Sequence, residues 1–337
     1  MPIVDTHAHI LCQRYVDLLG AHGGEYRIAR DVEGRQIVMR YGARFLTLTP
    51  PMFDPRARLA AMDTAGVSMQ LLSYTGPNCY WADQAIAPEV VQVMNDHVAE
   101  VCATWPDRFR GLASLPIQDV DLALREAARA VDQLGMVGVI LLANVNGTPL
   151  DDARFEPLWR MLDERRLPVL LHPTLPPGAA SMGLDDYGLA AAVGFMFDTT
   201  LTVSRMVFAG IFERYPNWPL IVCHAGATLP FLASRLDQCH RNIPDARTRI
   251  ERAPSEYLSR LYYDTACYDA KALALAVELA GPSHVLFGTD YPHNIADVEG
   301  NISRIDALAL GPAEKSLLRA GNAARIFGLE SPALAGR

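Results

Sequence analysis

The stretch VDTHAHI, residues 4–10, lies close to the N-terminus and combines the pattern of a β-strand with an acid and two histidines. Successive side chains of a strand point to opposite faces, so Asp5, His7 and His9 share one face, and the other face carries Val4, Thr6 and Ala8. Two imidazoles side by side on an apolar strand need polar partners. The stretch therefore predicts a strand that ends in a functional site.

Short apolar runs of this kind recur along the chain, separated by segments of helical periodicity. The eight runs are 3–9, 68–74, 109–116, 136–144, 167–173, 220–226, 261–266 and 284–291. The predicted helices are 55–65, 88–104, 119–134, 154–165, 199–215, 229–240, 270–280 and 313–327. Eight strands that alternate with eight helices predict an α/β fold of the (β/α)8 TIM barrel type, with a doubly wound sheet as the alternative.

Two segments, 10–54 and 174–197, are longer than the repeat allows and follow the first and fifth predicted strands. Both leave the C-terminal ends of strands, so we expect inserted loops that cover the mouth of the barrel. The chain shows no linker and no low-complexity segment. We therefore expect a single metal-dependent barrel domain over residues 1–337.

The composition narrows the classes of partner. The 337 residues include 30 Lys and Arg against 38 Asp and Glu, a formal charge of −8, and no basic run is present. Nucleic acid and anionic membrane surfaces are therefore not expected as partners. The absence of a signal-like or 18-residue apolar segment predicts a cytoplasmic protein. The six cysteines include no C-x-x-C pair, which favours buried thiols over a zinc ribbon.

Metal-binding residue types stand at the ends of four predicted strands. His7 and His9 end the first strand, His172 the fifth, His224 the sixth and Asp290 the eighth. In a barrel these ends meet at the C-terminal mouth, where the active sites of the fold lie. Imidazole and carboxylate ligands suit Zn²⁺, Mn²⁺, Fe²⁺ or Co²⁺. We predict a metal site of His7, His9, His172 and Asp290, with His224 near enough to move a proton.

Strand alternation supports this placement. Leu170 and His172 are predicted to face the barrel interior together, and so are Val222 and His224. Cys223 would then point outward toward the helices. The remaining histidine of the region, in GTDYPH (288–293), follows the last strand in a loop, and two interpretations of His293 stay open: contact with substrate, or a solvated loop residue.

The chain contains the motifs VDTHAHI (4–10), LLHP (170–173), CHAGA (223–227) and GTDYP (288–292). In these motifs it resembles the amidohydrolase superfamily, in particular the branch of aminocarboxymuconate semialdehyde decarboxylase and related carboxy-lyases. The resemblance covers nearly the whole chain. It includes FDPRARLAAMDTAGVSMQLLS (53–73), RFRGLASLPIQD (108–119), GIFERYPNWPLIVCHAGATLPFLASRLD (210–237) and AGNAARIFGLE (320–330).

The resemblance implies one divalent ion, zinc with manganese as the alternative, no organic cofactor, and a role for His224 in activating the water of the ion. It also implies a homodimer in which Arg235 reaches the neighbouring site and holds a carboxylate of the substrate, against the alternative of an ion pair on the helix surface. Arg44 is the nearest match to a second arginine of the family. Thr174 and Leu175 stand where the family has Trp-Asp, so the substrate pocket differs.

We therefore expect a metal-dependent non-oxidative decarboxylase that acts on an aromatic or unsaturated carboxylic acid. His224 and Asp290 would move protons, and Arg235, Arg44 and His293 would bind the small-molecule acid. The alternatives are a metal-dependent hydrolase of a lactone, ester or amide, a hydratase of an unsaturated dicarboxylate, and a non-catalytic metal-binding protein. The chain has no G-x-G-x-x-G or G-K-[ST] loop that would indicate a nucleotide.

Overall fold

Parallel strands alternate with helices in the computed structural model, which describes residues 2–40 and 43–330. The strands are β1 (Val4–His9), β2 (Tyr26–Arg30), β3 (Gln36–Arg40), β4 (Ala43–Thr47), β5 (Met69–Ser73), β6 (Phe109–Ser114), β7 (Gly138–Leu142), β8 (Asn144–Val145), β9 (Thr148–Pro149), β10 (Val169–His172), β11 (Leu220–Val222), β12 (Tyr262–Asp264) and β13 (Val285–Leu286).

The helices follow the strands in the order that a repeated strand–helix unit requires. They are α1 (Gln13–His22), α2 (Pro55–Ala65), α3 (Ala87–Thr104), α4 (Val120–Asp132), α5 (Glu156–Arg165), α6 (Phe195–Phe208), α7 (Ile211–Arg214), α8 (Leu229–Asn242), α9 (Pro254–Leu258), α10 (Ala270–Ala280), α11 (Val298–Ala307), α12 (Pro312–Ser316) and α13 (Asn322–Phe327). None of the helices within the described ranges combines the length and hydropathy needed to span a bilayer.

Eight strands form one parallel sheet in the order β1-β5-β6-β7-β10-β11-β12-β13, and each lies inside one of the eight predicted runs. The two ends of the sheet meet, because Thr6 N donates to Phe287 O at 2.9 Å and His9 N donates to Tyr291 O at 2.7 Å. The prediction of a TIM barrel is therefore confirmed. The carboxyl ends of all eight strands open at one mouth.

Local sequence explains where individual helices begin and end. Asp54 caps α2 by accepting from Arg56 N, and Gly66 ends this helix in the left-handed region at φ 73°. For α4, the sequence offers Asp119 or Asp121 as the cap. The structure uses Asp119, which accepts from Leu122 N at 3.0 Å.

Apolar side chains pack in two layers. The inner layer fills the barrel and consists mainly of Val4, Met69, Leu71, Leu112, Ile140, Leu170, Ile221, Cys223 and Leu286, with Phe327 of α13 packed against it. The larger outer layer lies between the strands and the surrounding helices. The barrel is therefore a packed core, as is usual for this fold, and leaves space for chemistry at the mouth.

The predicted orientation of Cys223 is wrong. Ile221 and Cys223 belong to the inner layer, whereas Val222 belongs to the outer one. Simple alternation would then turn His224 away from the interior. The backbone instead enters the left-handed region at His224 (φ 58°) and Ala225 (φ 52°), so the chain changes direction as the strand ends. This turn brings His224 to the mouth.

The pairing register of β1 also corrects the prediction of which residues of the first strand share a face. A bulge between Asp5 and Ala8 sets three steps of β1 against two steps of β5. Val4 consequently packs in the inner layer, and Asp5 pairs with Gln70, so Asp5 does not share a face with the histidines. The Asp5 carboxylate accepts from Gln70 Nε2 at 2.9 Å and from Thr289 Oγ1 at 2.7 Å.

The two insertions lie over the mouth, as predicted, but the first is not a loop. It contains α1 and a three-stranded antiparallel sheet of β2, β3 and β4. The second insertion carries a short 3-10 turn at Ala179–Ser181 and a π-helical turn at Ala190–Gly194 that leads into α6. Residues of both insertions line the cavity above the strand ends.

Candidate metal centre

Four buried side chains converge at the mouth, namely His7, His9, His172 and Asp290. The Nε2 atoms of His7 and His9 lie 3.1 Å apart, and they lie 3.1 and 3.0 Å from Asp290 Oδ1. His172 Nε2 is 3.7 Å from the same oxygen. The four potential ligand atoms all lie within 4.8 Å of one another. The structure thus brings together the residues that the sequence selects.

The donor set fits a divalent ion. His172 Nε2 is buried and has no hydrogen-bond partner, although buried polar atoms normally have one. Two imidazole nitrogens that face each other need a cation or a proton between them. Ligand atoms held about 2.0–2.2 Å from one ion lie roughly 3 Å apart, which is close to the spacing observed here. A borderline metal such as zinc or manganese matches three imidazoles and one carboxylate.

The second nitrogen of each imidazole is already engaged outside the centre. The partners are Asp264 Oδ2 for His7 Nδ1 at 2.6 Å, Ser73 Oγ for His9 Nδ1 at 3.1 Å, and Pro173 O for His172 Nδ1 at 2.8 Å. Such partners fix the orientation of the rings and the tautomer. All three Nε2 atoms are thereby left to face a common point.

Asp264 is a residue that sequence reasoning missed. Besides holding His7, its Oδ1 accepts from Ala225 N at 3.0 Å and from Ala266 N at 3.1 Å. Burial would raise the pKa of Asp264, but the hydrogen bond from His7 lowers it below its usual value. Asp264 ends β12, which lies inside the seventh predicted run, 261–266, so its position near a strand end could have selected it as it did the other residues.

Burial sets the protonation of the imidazoles. It lowers the pKa of His172 to about 4 and holds the pKa of His9 well below its usual value, so both are neutral and able to bind a metal at pH 7. Burial also opposes a charge on His7, yet the Asp290 and Asp264 carboxylates raise the pKa of His7 well above its usual value. An ion that bound at His7 Nε2 would therefore have to displace a proton.

His224 lies beside the four converging residues rather than among them. Its Nε2 is 3.5 Å from Asp290 Oδ2, and its ring centroid is 5.3 Å from that of His7. The buried Nδ1 of His224 has no hydrogen-bond partner. The ring borders the cavity, where it can reach a bound molecule.

His293 also lies at this cavity and is largely buried. Its Nε2 is 3.0 Å from Thr75 Oγ1 and 3.7 Å from Asp290 Oδ1, and its ring centroid is 5.1 Å from that of His9. The structure therefore disagrees with the interpretation of His293 as a solvated loop residue. Contact between His293 and a substrate stays a prediction.

The two arginines occupy different places. Arg44, on β4, lines the cavity, and its Nη2 lies 3.5 Å from Asp31 Oδ2. Arg235, on α8, is exposed and does not line the cavity of its own chain. Among the residues that the structure describes, Arg235 has no ion-pair partner, so the alternative of a helix-surface ion pair is not seen.

The cavity over the centre, here called the mouth cavity, has a volume of about 1040 Å³. Its floor contains His172, His224, Asp290 and His293. Pockets of roughly 300–1,000 Å³ hold ligands of drug size, so a substituted aromatic molecule fits. A barrel with such a cavity above convergent imidazoles and a carboxylate belongs to the class of metal-dependent barrel enzymes.

Comparison with known proteins refines this class. The profile of the amidohydrolase family matches residues 4–329, and the chain therefore belongs to the amidohydrolase family. This result confirms the resemblance found in the sequence motifs. The match spans the barrel from β1 to the end of α13.

Individual homologues point to decarboxylation. The chain is 31% identical over 334 residues to 2-amino-3-carboxymuconate-6-semialdehyde decarboxylase of Dictyostelium discoideum, covering 97% of this chain and 92% of that protein. It is similar in structure to 5-carboxyvanillate decarboxylase of Sphingomonas paucimobilis, with a TM-score of 0.84, 27% identity and coverage of 98% and 99%. Dihydroxybenzoic acid decarboxylase of Polaromonas sp. JS666, with bound manganese and the inhibitor 2-nitroresorcinol, gives a TM-score of 0.80, 25% identity and 99% coverage of both chains.

Proposed function

We propose that this protein is a metal-dependent non-oxidative decarboxylase of an aromatic or unsaturated carboxylic acid. The observation that carries the proposal is the convergence of His7, His9, His172 and Asp290 beside a separate histidine, His224, at the floor of the mouth cavity. The similarity to decarboxylases over nearly the full length supports the same reaction.

In this proposal His7, His9, His172 and Asp290 bind one divalent ion, with zinc and manganese as the two candidates. The bound ion supplies positive charge that orients an acid and stabilises negative charge as it develops. The engaged Nδ1 atoms of the three histidines keep the ligand set in place before the ion arrives. No organic cofactor is required.

The proton comes from His224. Loss of CO₂ breaks the bond between the carboxyl carbon and the substrate carbon, and the electron pair of that bond stays on the substrate carbon. His224 Nε2 then delivers a proton to this carbon, so that hydrogen replaces the carboxylate. Asp290 Oδ2, at 3.5 Å from His224 Nε2, stabilises the protonated imidazole before the transfer.

Three further residues are proposed to hold the acid. His293 lies in the floor of the mouth cavity, and Arg44 lies in its wall. Arg235 is proposed to reach the site of a partner subunit, because it is exposed and does not line the cavity of its own chain. The homodimer, the single domain over residues 1–337 and the cytoplasmic location stay predictions. Residues 1, 41–42 and 331–337 of that domain lie outside the described residues.

The test measures CO₂ release by metal-reconstituted protein incubated with hydroxybenzoates and carboxymuconate-type acids, with metal analysis of the same sample. We expect CO₂ release that stops on chelation and returns with zinc or manganese. His224→Ala should lower the rate by about 10²–10⁴-fold without lowering the metal content. The matched control is His22→Ala, which removes an exposed histidine at the end of α1 and should leave the rate unchanged.

Hydrolysis and hydration remain the rival reactions, because both use a polarising ion and a proton carrier. Activity confined to lactones, esters or amides, or water addition to an unsaturated dicarboxylate, would overturn the decarboxylase proposal. A His224→Ala variant with unaltered activity towards every acid tested would indicate a non-catalytic metal-binding protein.

A further inference from the structure

The wall of the mouth cavity divides into a polar floor and an apolar side. The floor contains His172, His224, Asp290 and His293. Away from the floor, the cavity is lined mainly by apolar side chains, among them Phe45, Leu46, Phe195, Met196, Leu275 and Ile295. A ligand that spans this cavity therefore meets charge at one end and hydrocarbon at the other.

The apolar side is assembled from separate parts of the chain. Phe45 belongs to the first insertion, and Phe195 lies in the second, where α6 begins. Their ring centroids are 6.5 Å apart in an edge-to-face arrangement. Leu275 and Ile295, from beyond β12 and β13, remain 42% and 53% exposed. Exposed apolar side chains grouped around a concave site indicate a ligand that covers them.

The charged residues of the cavity wall disfavour a second carboxylate of the ligand at the apolar side of the mouth cavity. Arg44 is the one lysine or arginine among the described residues that line the mouth cavity, and its side chain is 46% exposed and directed toward Asp31. Asp185 lines the same cavity and adds a negative charge. A carboxylate carried into the apolar side would lose hydration without gaining a buried cation from the same chain.

We propose that the substrate is an aromatic acid with one carboxylate at the metal centre and a bulky apolar substituent, such as an alkyl chain, directed into the apolar side of the mouth cavity. This inference rests on the proposed decarboxylase function and narrows its substrate class. A single benzene ring with a carboxylate occupies only the floor region of a cavity of about 1040 Å³. The substituent removes the remaining apolar surface from water.

The experiment compares 2-hydroxybenzoates that carry hydrogen, methyl, propyl, pentyl or carboxylate at carbon 4, opposite the reacting carboxylate. The rate of CO₂ release gives kcat/KM for the metal-loaded protein. Calorimetry with the metal-loaded His224→Ala variant gives the Kd of each acid without turnover. We expect kcat/KM to rise and Kd to fall by about two- to fourfold per methylene, and the 4-carboxylate to be poorer than the methyl compound.

Two variants test whether the effect of substituent length arises at the apolar side of the mouth cavity. Phe195→Ala should reduce the ratio of kcat/KM between the pentyl and methyl compounds, because it removes a ring from the apolar side. Phe197→Ala is the matched control, since Phe197 lies two residues along the same helix, is 47% exposed and does not line the mouth cavity. This control should leave the ratio unchanged.

The possible results distinguish a failure of this inference from a failure of the proposed function. A kcat/KM that stays flat or falls with chain length, together with a Kd that stays flat or rises, overturns the inference, and so does a preference for the 4-carboxylate. Absence of CO₂ from every acid, together with a Kd that falls along the alkyl series, overturns the decarboxylase proposal and leaves the binding inference supported.

Discussion

Asp264 joins two parts of the centre through one carboxylate. Its Oδ2 holds His7 Nδ1 at 2.6 Å, and its Oδ1 holds Ala225 N in the left-handed turn that carries His224. A ligand to the proposed ion and the proposed proton donor therefore depend on the same side chain. Asp264 does not reach the cavity, so it is a positioning residue.

We predict that Asp264→Ala weakens metal binding by about 10–100-fold, because His7 loses the partner that orients its ring. Competition with a chelator measures the change. Asp264→Asn should have a smaller effect, since one oxygen acceptor remains. Asp269→Ala serves as the control: it removes the cap of α10, where Asp269 accepts from Lys271 N, and should lower stability by about 1 kcal/mol without altering metal affinity. Equal metal affinities for wild type and Asp264→Ala would contradict the prediction.

Single residues differ in how far the sequence could assign them. His7, His9, His172 and Asp290 were predictable because each lies at or near the carboxyl end of a barrel strand, and these ends meet at the mouth. The orientation of Cys223 could not be predicted from the sequence. The alternation of side chains between two faces assumes that the backbone stays extended up to the last residue of the strand. The positive φ angles at the end of β11 leave no trace in the pattern of apolar residues.

The secondary-structure elements also differ in how well the sequence predicts them. The barrel strands and most helices are buried on defined faces, so their apolar periodicity is strong and the prediction succeeds. The antiparallel sheet β2-β3-β4 is only partly buried and mixes arginine and glutamine with its apolar residues. Its alternation is therefore weak, which is why the first insertion was predicted as a loop.

Helix α3 places a titratable group, His97, beside Tyr74, the residue that follows β5. His97 Nδ1 lies 3.0 Å from the hydroxyl of the buried Tyr74, and burial lowers the pKa of His97 to about 4. The unfolded chain binds a proton near pH 6.5, whereas the folded chain resists it until about pH 4. The contribution to stability is therefore complete above pH 6.5 and is lost as the pH falls toward 4, by about 3 kcal/mol.

We predict that His97→Asn, which keeps an acceptor for Tyr74, loses less stability than wild type between pH 7 and pH 4.5. Urea unfolding at a series of pH values measures the difference. The exposed His22 offers the control, because His22→Asn should follow the wild-type curve. Parallel curves for wild type and His97→Asn would show that the folded state does not exclude the proton from His97.

The complete molecule poses the question of whether two subunits share a site. If Arg235 acts in the site of a partner, then Arg235→Ala and His224→Ala impair the two sites of a dimer in different ways. A mixed dimer contains one site with an intact His224 and an intact Arg235 from the other chain. We predict that mixing the two inactive variants restores about one quarter of the wild-type activity.

Light scattering on the mixture checks that dimers form, and each variant alone sets the baseline. Absence of any recovery in mixed dimers, isolated through different affinity tags on the two variants, would place the action of Arg235 within its own chain. The sequence could not decide this point, since it identifies residues on one barrel. The apposition of two barrels depends on surface shape that no strand pattern encodes.

The closure of the barrel also fixes when an ion can be bound. His9 and Asp290 are separated by 281 residues along the chain, yet their side chains lie 3.0 Å apart across the seam between the first strand and the last. A nascent chain that has not yet released its final strand from the ribosome lacks one of the four proposed ligands. We therefore expect the proposed ion to bind only after the last strand has joined the barrel.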